Sequence, residues 1–149
     1  MTLEELIMED LKTAMRDKNE AAKRGIRAIK AAILLAKTDG SGQEVNQERE
    51  IQILQKLVKQ RRESLAQYQS AGRADLAAQE AFEIDLIQSY LPAPLVEAEL
   101  EALIGEAIAA TGAQSVRDMG KVMAILREQA QGRADMAAIS ARIKARFGG

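Results

Sequence analysis

The sequence contains no histidine and no cysteine. The first absence excludes Ser-His-Asp and Cys-His catalysis, a histidine proton shuttle and histidine metal ligands. The second excludes a thiol nucleophile, a disulfide framework and a cysteine-bound zinc or iron–sulfur site. Tryptophan is missing too, and the aromatic residues are Tyr68, Phe82, Tyr90 and Phe147. So few aromatics cannot build a base-stacking platform of the RNA-recognition or OB-fold kind. Strand-like runs of β-branched and aromatic residues are absent, so the chain reads as all-α. An excess of either charge is also lacking. Lys and Arg number 21 against 22 Asp and Glu, a net charge of -1. That balance describes a globular surface, not a basic tail or an acidic disordered chain. The longest apolar stretch, Ala31–Ala36, is far short of the roughly 18–20 residues of a membrane span. Glu4, Glu5, Glu9 and Asp10 stand where a signal peptide carries basic residues. These features predict a cytoplasmic protein that does not engage a membrane.

What is present is helical periodicity. Thr2-Leu3-Glu4-Glu5 has the form of a capping box, and Leu3, Leu6, Ile7, Leu11 and Ala14 then recur at helical spacing. Asn19 is the natural N-cap of a second helix to Lys37, with an apolar stripe of Ala22, Ile26, Ile29, Ile33 and Ala36. Thr38-Asp39-Gly40-Ser41-Gly42-Gln43 reads as a polar loop. Asn46 caps a long third helix to about Ala71, buried through Ile51, Leu54, Val58, Leu65 and Tyr68. Gly72 ends it, and a fourth helix follows from about Asp75 to Tyr90. Two prolines in Leu91-Pro92-Ala93-Pro94-Leu95 forbid a continuous helix. The expected organisation is therefore four N-terminal helices over 1–90 and a three-helix domain over 95–149, with helices near 97–110, 116–129 and 135–147. Ser115 and Asp135 are the expected caps of the last two, and Gly112 and Gly132 the breakers before them. Gly72-Arg73-Ala74-Asp75 reappears as Gly132-Arg133-Ala134-Asp135. One reading is a reused turn in which glycine stops a helix and aspartate caps the next. The other is that Arg73 and Arg133 are held at helix N-termini for an anion.

The neutral total conceals local asymmetry. From Arg16 to Lys37 seven basic residues face Asp17 and Glu20, a local balance of +5. Lys23, Arg27, Lys30 and Lys37 share an arc of about 80° on helix two. Lys56, Lys59, Arg61 and Arg62 form a second cluster on helix three. From Ala113 onward the balance is +4, and Glu97, Glu99, Glu101 and Glu106 precede it on an acidic helix. A solvated helix face and a phosphate-binding surface both fit such runs. Leu34 sits inside the basic arc, so part of that face should be covered by protein. Arg61 falls in the buried register of its helix, which calls for pairing with a carboxylate such as Glu83 or Asp85, or else marks a cleft. Arg142, Lys144 and Arg146 suit the dipole at the end of the last helix.

No catalytic constellation emerges. Gly120-Lys121 is not a phosphate loop, because position 115 is serine, Val122 replaces Ser/Thr and no strand precedes it. Gly40-Ser41-Gly42 falls short of a nucleophile turn. No catalytic residue, metal ligand or cofactor site is assigned.

Taken together, several segments resemble the YqeY-like family, the free-standing members of the GatB/YqeY group. They are Ile26-Arg27-Ala28-Ile29-Lys30-Ala31-Ala32-Ile33, Lys59-Gln60-Arg61-Arg62-Glu63-Ser64, Tyr68, Ala71-Gly72-Arg73-Ala74-Asp75-Leu76-Ala77 and Tyr90-Leu91-Pro92. Asp118-Met119-Gly120-Lys121-Val122-Met123 and Gly132-Arg133-Ala134-Asp135 complete the set. The resemblance implies an all-helical fold and kinship with the tail of the B subunit of the tRNA amidotransferase, which helps to hold tRNA. Residues matching that tail are Asp118, Gly120, Lys121, Val122, Met123, Gly132, Arg133 and Asp135. Gly120 then reads as a close helix contact, Met119, Val122 and Met123 as core, and Lys121 and Arg133 as tRNA-facing. Relatives often place a glycine after the Gly-Arg-Ala-Asp turn; Met136 here implies a helix that starts at once. The residues assigned to nucleic-acid contact are Arg117, Lys121, Arg133 and Arg142 in the last third, and Lys23, Arg27 and Lys30 on helix two. Implied partners are tRNA, amidotransferase subunits or another protein. Three functions remain open: a non-catalytic tRNA-binding accessory, a protein-interaction adaptor, and a glutamine-using carbon–nitrogen ligase whose active site a partner supplies.

Overall fold

The computed structural model describes residues 2–40, 42 and 44–148. Among the described residues there are seven α-helices, one 3-10 turn and no strand, as the composition implies. They are α1 (Leu3–Arg16), α2 (Glu20–Lys37), α3 (Gln47–Ser70), α4 (Ala74–Gln88), α5 (Glu97–Thr111), α6 (Met119–Ala130) and α7 (Met136–Arg146), with the 3-10 turn at Val116–Asp118. Of the loop between α2 and α3, Ser41 and Gln43 lie outside the described residues. The chain forms two units, Met1–Leu91 and Pro92–Gly149.

The first unit is built from two helical hairpins closed by the same turn. After α1, the Lys18 amide donates to Met15 O at 3.3 Å and the Asn19 amide to Ala14 O at 2.9 Å. After α3, the Gly72 amide donates to Gln69 O at 3.2 Å and the Arg73 amide to Tyr68 O at 2.9 Å. Both pairs satisfy the last helical carbonyls through a residue in the left-handed region. That residue is Gly72 (φ 70°) in one turn but Lys18 (φ 54°) in the other. Asn19 then caps α2, its Oδ1 accepting from the Ala22 amide at 3.1 Å. Asp75 does not cap α4. The helix begins one residue earlier, and Asp75 pairs with Arg73 at 3.2 Å instead. Thr2 accepts from the Glu5 amide as expected, whereas the free Leu3 amide is taken by Glu50 from α3 at 3.1 Å.

The apolar stripes meet in one core: Ile7, Leu11 and Ala14 of α1, Ile26, Ile29 and Ile33 of α2, Leu54 and Val58 of α3, and Ile84 and Ile87 of α4. Each fully buried isoleucine contributes about 1.5–3 kcal/mol. Gly25 lets α2 approach α4: a Cβ there would lie 2.3 Å from Leu86 Cδ2. Tyr90 ties the end of α4 to α1 through Asp10, its hydroxyl donating to Oδ2 at 2.5 Å. Burial, then the Asp10 carboxylate, holds the Tyr90 hydroxyl far above its ordinary pKa, so it stays a donor.

The second unit packs Ile104 and Ala107 of α5, Val122, Met123, Leu126 and Ala130 of α6, and Ile139 and Ile143 of α7. The helix expected over 116–129 is split. Asp118 turns back to accept from the Gln114 amide (2.9 Å) and the Ser115 amide (3.4 Å), so the first turn tightens to 3-10 and α6 starts at Met119. Ser115 caps that turn rather than an α-helix, accepting from the Arg117 amide at 3.3 Å. Asp135 does cap α7, accepting from the Ala137 amide at 2.9 Å, and the helix begins at Met136 as expected. The two copies of Gly-Arg-Ala-Asp therefore carry different local structures.

Candidate functional site

On α2 the three assigned cations part company. Lys23 is largely covered and its Nζ pairs with Glu20 Oε1 at 3.0 Å, one turn back. Arg27 and Lys30 are exposed, and neither has a carboxylate within ion-pair distance among the described residues. The other bases of the helix are held: Arg24 by Glu83 at 3.2 Å and Lys37 by Glu4 at 2.6 Å. Leu34 and Leu35 are 60% and 70% exposed, so the expected protein cover over Leu34 does not come from its own unit. Sequence periodicity identified Leu34 but missed Leu35 as an outward residue. The signal was available, since at 100° per residue Leu35 lies about 120–180° around the helix from Ile26, Ile29 and Ile33.

Arg61 is paired, as its buried register demanded. Its Nε lies 3.0 Å from Glu83 Oε2, while Arg24 Nε lies 3.2 Å from the other oxygen. Glu83 is 7% exposed, the one buried polar residue among those described. Two guanidinium groups on one carboxylate offset the cost of its burial. Glu80, one turn earlier, is pushed above the usual carboxylate range, first by burial and then by the Glu83 charge. The cluster joins α2, α3 and α4 and is a structural ion-pair network.

In the second unit Arg133 and Arg142 are turned inward to their own unit. Arg133 Nε donates to Ala93 O at 2.8 Å, and the Arg133 carbonyl accepts from the Leu95 amide at 2.8 Å. Arg133 thereby fastens the proline segment to the α6–α7 turn, with Glu99 3.9 Å from its Nη2. Arg142 pairs with Glu97 and, at 3.3 Å, with Glu101; Arg146 lies 3.8 Å from the same Glu101. The acidic helix α5 thus finds its counter-charges on α7. Arg117 and Lys121 remain exposed, with no carboxylate within ion-pair distance among the described residues. Lys121 is near enough to Asp118 to help lower its carboxyl, behind the larger effect of the Gln114 amide. Gly120 is not a close helix contact: it is exposed, and a Cβ there would meet nothing within 4 Å. Val122 and Met123 are buried, as their place in the motif implied.

No cluster of three metal-binding side chains occurs among the described residues. The groove at the far end of the α3–α4 hairpin is lined by Leu65, Gln69, Gly72 and four alanines, and offers no ionisable group.

Comparison with known proteins agrees with the helical motifs and corrects one expectation. The chain is 31% identical over 131 residues to altered inheritance of mitochondria protein 41, mitochondrial, of Pyrenophora tritici-repentis, covering 86% of this chain and 71% of the relative. It is 37% identical over 94 residues to the protein of the same name from Eremothecium gossypii, covering 62% of this chain and 51% of that relative. The Meyerozyma guilliermondii protein matches at 39% over 85 residues, 57% of this chain and 44% of its own. The chain thus spans about half the length of some of its curated relatives. Their shared name overturns the cytoplasmic expectation. An acidic first helix does not distinguish one aqueous compartment from another. Nor does the finding that no helix among the described residues is long and apolar enough to cross a membrane. A family model described as Yqey-like protein matches residues 4–147, and the chain belongs to that family.

Proposed function

We propose that the chain is a non-catalytic accessory that binds tRNA through the second unit, with Arg117 and Lys121 as its phosphate contacts. The observation that carries this reading is the sorting of cations there. Arg133 and Arg142 are engaged within the unit, while Arg117 and Lys121 project beside the start of α6 without an ion-pair partner among the described residues. Free surface cations favour phosphate by releasing counterions. The resemblance of Asp118–Met123 to the tRNA-holding tail of the amidotransferase B subunit points to tRNA among phosphate polymers. Glutamine-dependent ligation remains a reading that needs an active site from a partner.

Filter binding of the full chain to bulk tRNA at low and moderate salt tests this. Binding should weaken as salt rises, and Arg117→Gln with Lys121→Gln should reduce the log–log salt slope by about 2. Absence of binding at low salt, or an unchanged slope in the double variant, overturns the reading. Arg133→Gln is an unsuitable probe, because it also frees the proline segment from its anchor at Ala93.

A further inference from the structure

We infer that the outer face of α2 docks an acidic amphipathic helix of a partner protein, with Leu34 and Leu35 as apolar anchors and Arg27 and Lys30 as charge contacts. This goes beyond the tRNA reading, which rests on other residues in the other unit.

Ala31, Leu34 and Leu35 follow the i, i+3, i+4 spacing by which one helix presents a docking ridge to another. All three are exposed, and none belongs to the core formed by Ile26, Ile29 and Ile33 on the opposite side of the same helix. Two adjacent leucines at 60% and 70% exposure on a well-packed helix are the sort of apolar surface that marks an interaction site. Arg27 lies two turns before Leu34, about 10 Å along the axis, and Lys30 one turn before it. The remaining bases of α2 are neutralised within the unit by Glu20, Glu83 and Glu4. The free charge on this ridge is therefore positive, and it complements carboxylates flanking the apolar stripe of a partner helix.

Charge also argues against the other occupants. A second copy would bring the same cations, so pairing two α2 faces sets like charges together. RNA would use Arg27 and Lys30 but would leave the leucine pair uncovered. An anionic lipid surface would extend over the first turn of α1, where Glu4 sits beside Lys37 and Glu5 is exposed. A helix can be placed in register to avoid those carboxylates; a bilayer cannot.

The test uses the full chain and two synthetic helical peptides. Both carry leucines at i, i+3, i+4 and i+7; one is flanked by glutamates and the other by lysines. Fluorescence anisotropy should show the acidic peptide bound and the basic one not. Leu34→Ser with Leu35→Ser should weaken binding about tenfold or more. Arg27→Glu with Lys30→Glu should reverse the peptide preference. All four side chains are exposed, so circular dichroism should stay unchanged. Equal binding of both peptides, binding of neither, or wild-type affinity in both variants overturns the inference. So does self-association in sedimentation that the leucine variant abolishes, which assigns the ridge to a second copy. Loss of tRNA binding, or of binding to phosphatidylserine vesicles, in the Arg27/Lys30 variant likewise overturns it, reassigning those cations to RNA or lipid.

Discussion

Arg61 on α3 meets Glu83 on α4 at 3.0 Å, and the second oxygen of that carboxylate is held by Arg24 of α2 at 3.2 Å. One buried carboxylate thereby fixes three helices. Glu83→Ala leaves the mostly covered Arg61 guanidinium without its counter-charge, so a loss of about 2–4 kcal/mol is expected. Replacing Arg61 and Glu83 together by Met and Leu should cost less, because the one charge left without its partner, Arg24, is half-exposed and can be solvated. Urea unfolding of the two variants measures both. Equal losses would show that the charges contribute packing alone.

Gly25 is the place where α2 and α4 come closest. Glycine inside a helix costs about 1 kcal/mol relative to alanine, so its presence needs a reason in packing. The reason is Leu86, whose Cδ2 would stand 2.3 Å from a new Cβ. Gly25→Ala should destabilise by about 1–3 kcal/mol through this overpacking. In a Leu86→Ala background the same change should become neutral or stabilising, since the space is then free. A double-mutant cycle by thermal melting decides it.

The two hairpin turns of the first unit provide an internal comparison. Their hydrogen bonds match, yet one uses Gly72 and the other Lys18 at positive φ. A side chain in the left-handed region costs about 1 kcal/mol or more. Lys18→Gly should therefore stabilise the chain by up to about 1 kcal/mol, and Gly72→Ala should destabilise it by a similar amount. Opposite shifts in melting temperature are the expected result.

The helices were legible in the sequence because their signals are local. Asn19, Asn46, Ser115 and Asp135 all act as caps where their short polar side chains precede an apolar period. The pairing of Arg61 was legible too, since a cation in a buried register demands a carboxylate. The fate of Arg133 was not. Its sequence neighbours match those of Arg73, but its partner is a carbonyl forty residues away, which no local pattern encodes. Arg142 similarly reads as a dipole cation, whereas its counter-charges are Glu97 and Glu101 on α5. The outward direction of Leu35 was legible from the stripe of Ile26, Ile29 and Ile33, but that both leucines stay uncovered depends on where the neighbouring helices lie, which no local pattern encodes.

Asp118 gives a pH-dependent prediction in the unit proposed to bind tRNA. The Gln114 amide has the largest effect on its carboxyl; burial opposes it, but with the lesser help of the Ser115 amide and the Lys121 charge the carboxyl is held below the usual range. A depressed carboxyl stabilises the folded state fully above its unfolded pKa, about 3.9, and the contribution is lost as pH falls through the lower folded value. The turn before α6 should thus be firm at neutral pH and loosen only in strong acid. Asp118→Asn should lower hydrogen-exchange protection at the Gln114 and Ser115 amides at pH 7, and the difference from wild type should vanish once Asp118 is protonated. Lys121→Gln should raise the Asp118 carboxyl towards its ordinary range while keeping the Gln114 bond, so protection at Gln114 persists at pH 7. A collapse of protection in that variant would mean that Lys121 holds the turn together, and its effect on tRNA binding would then report folding rather than contact.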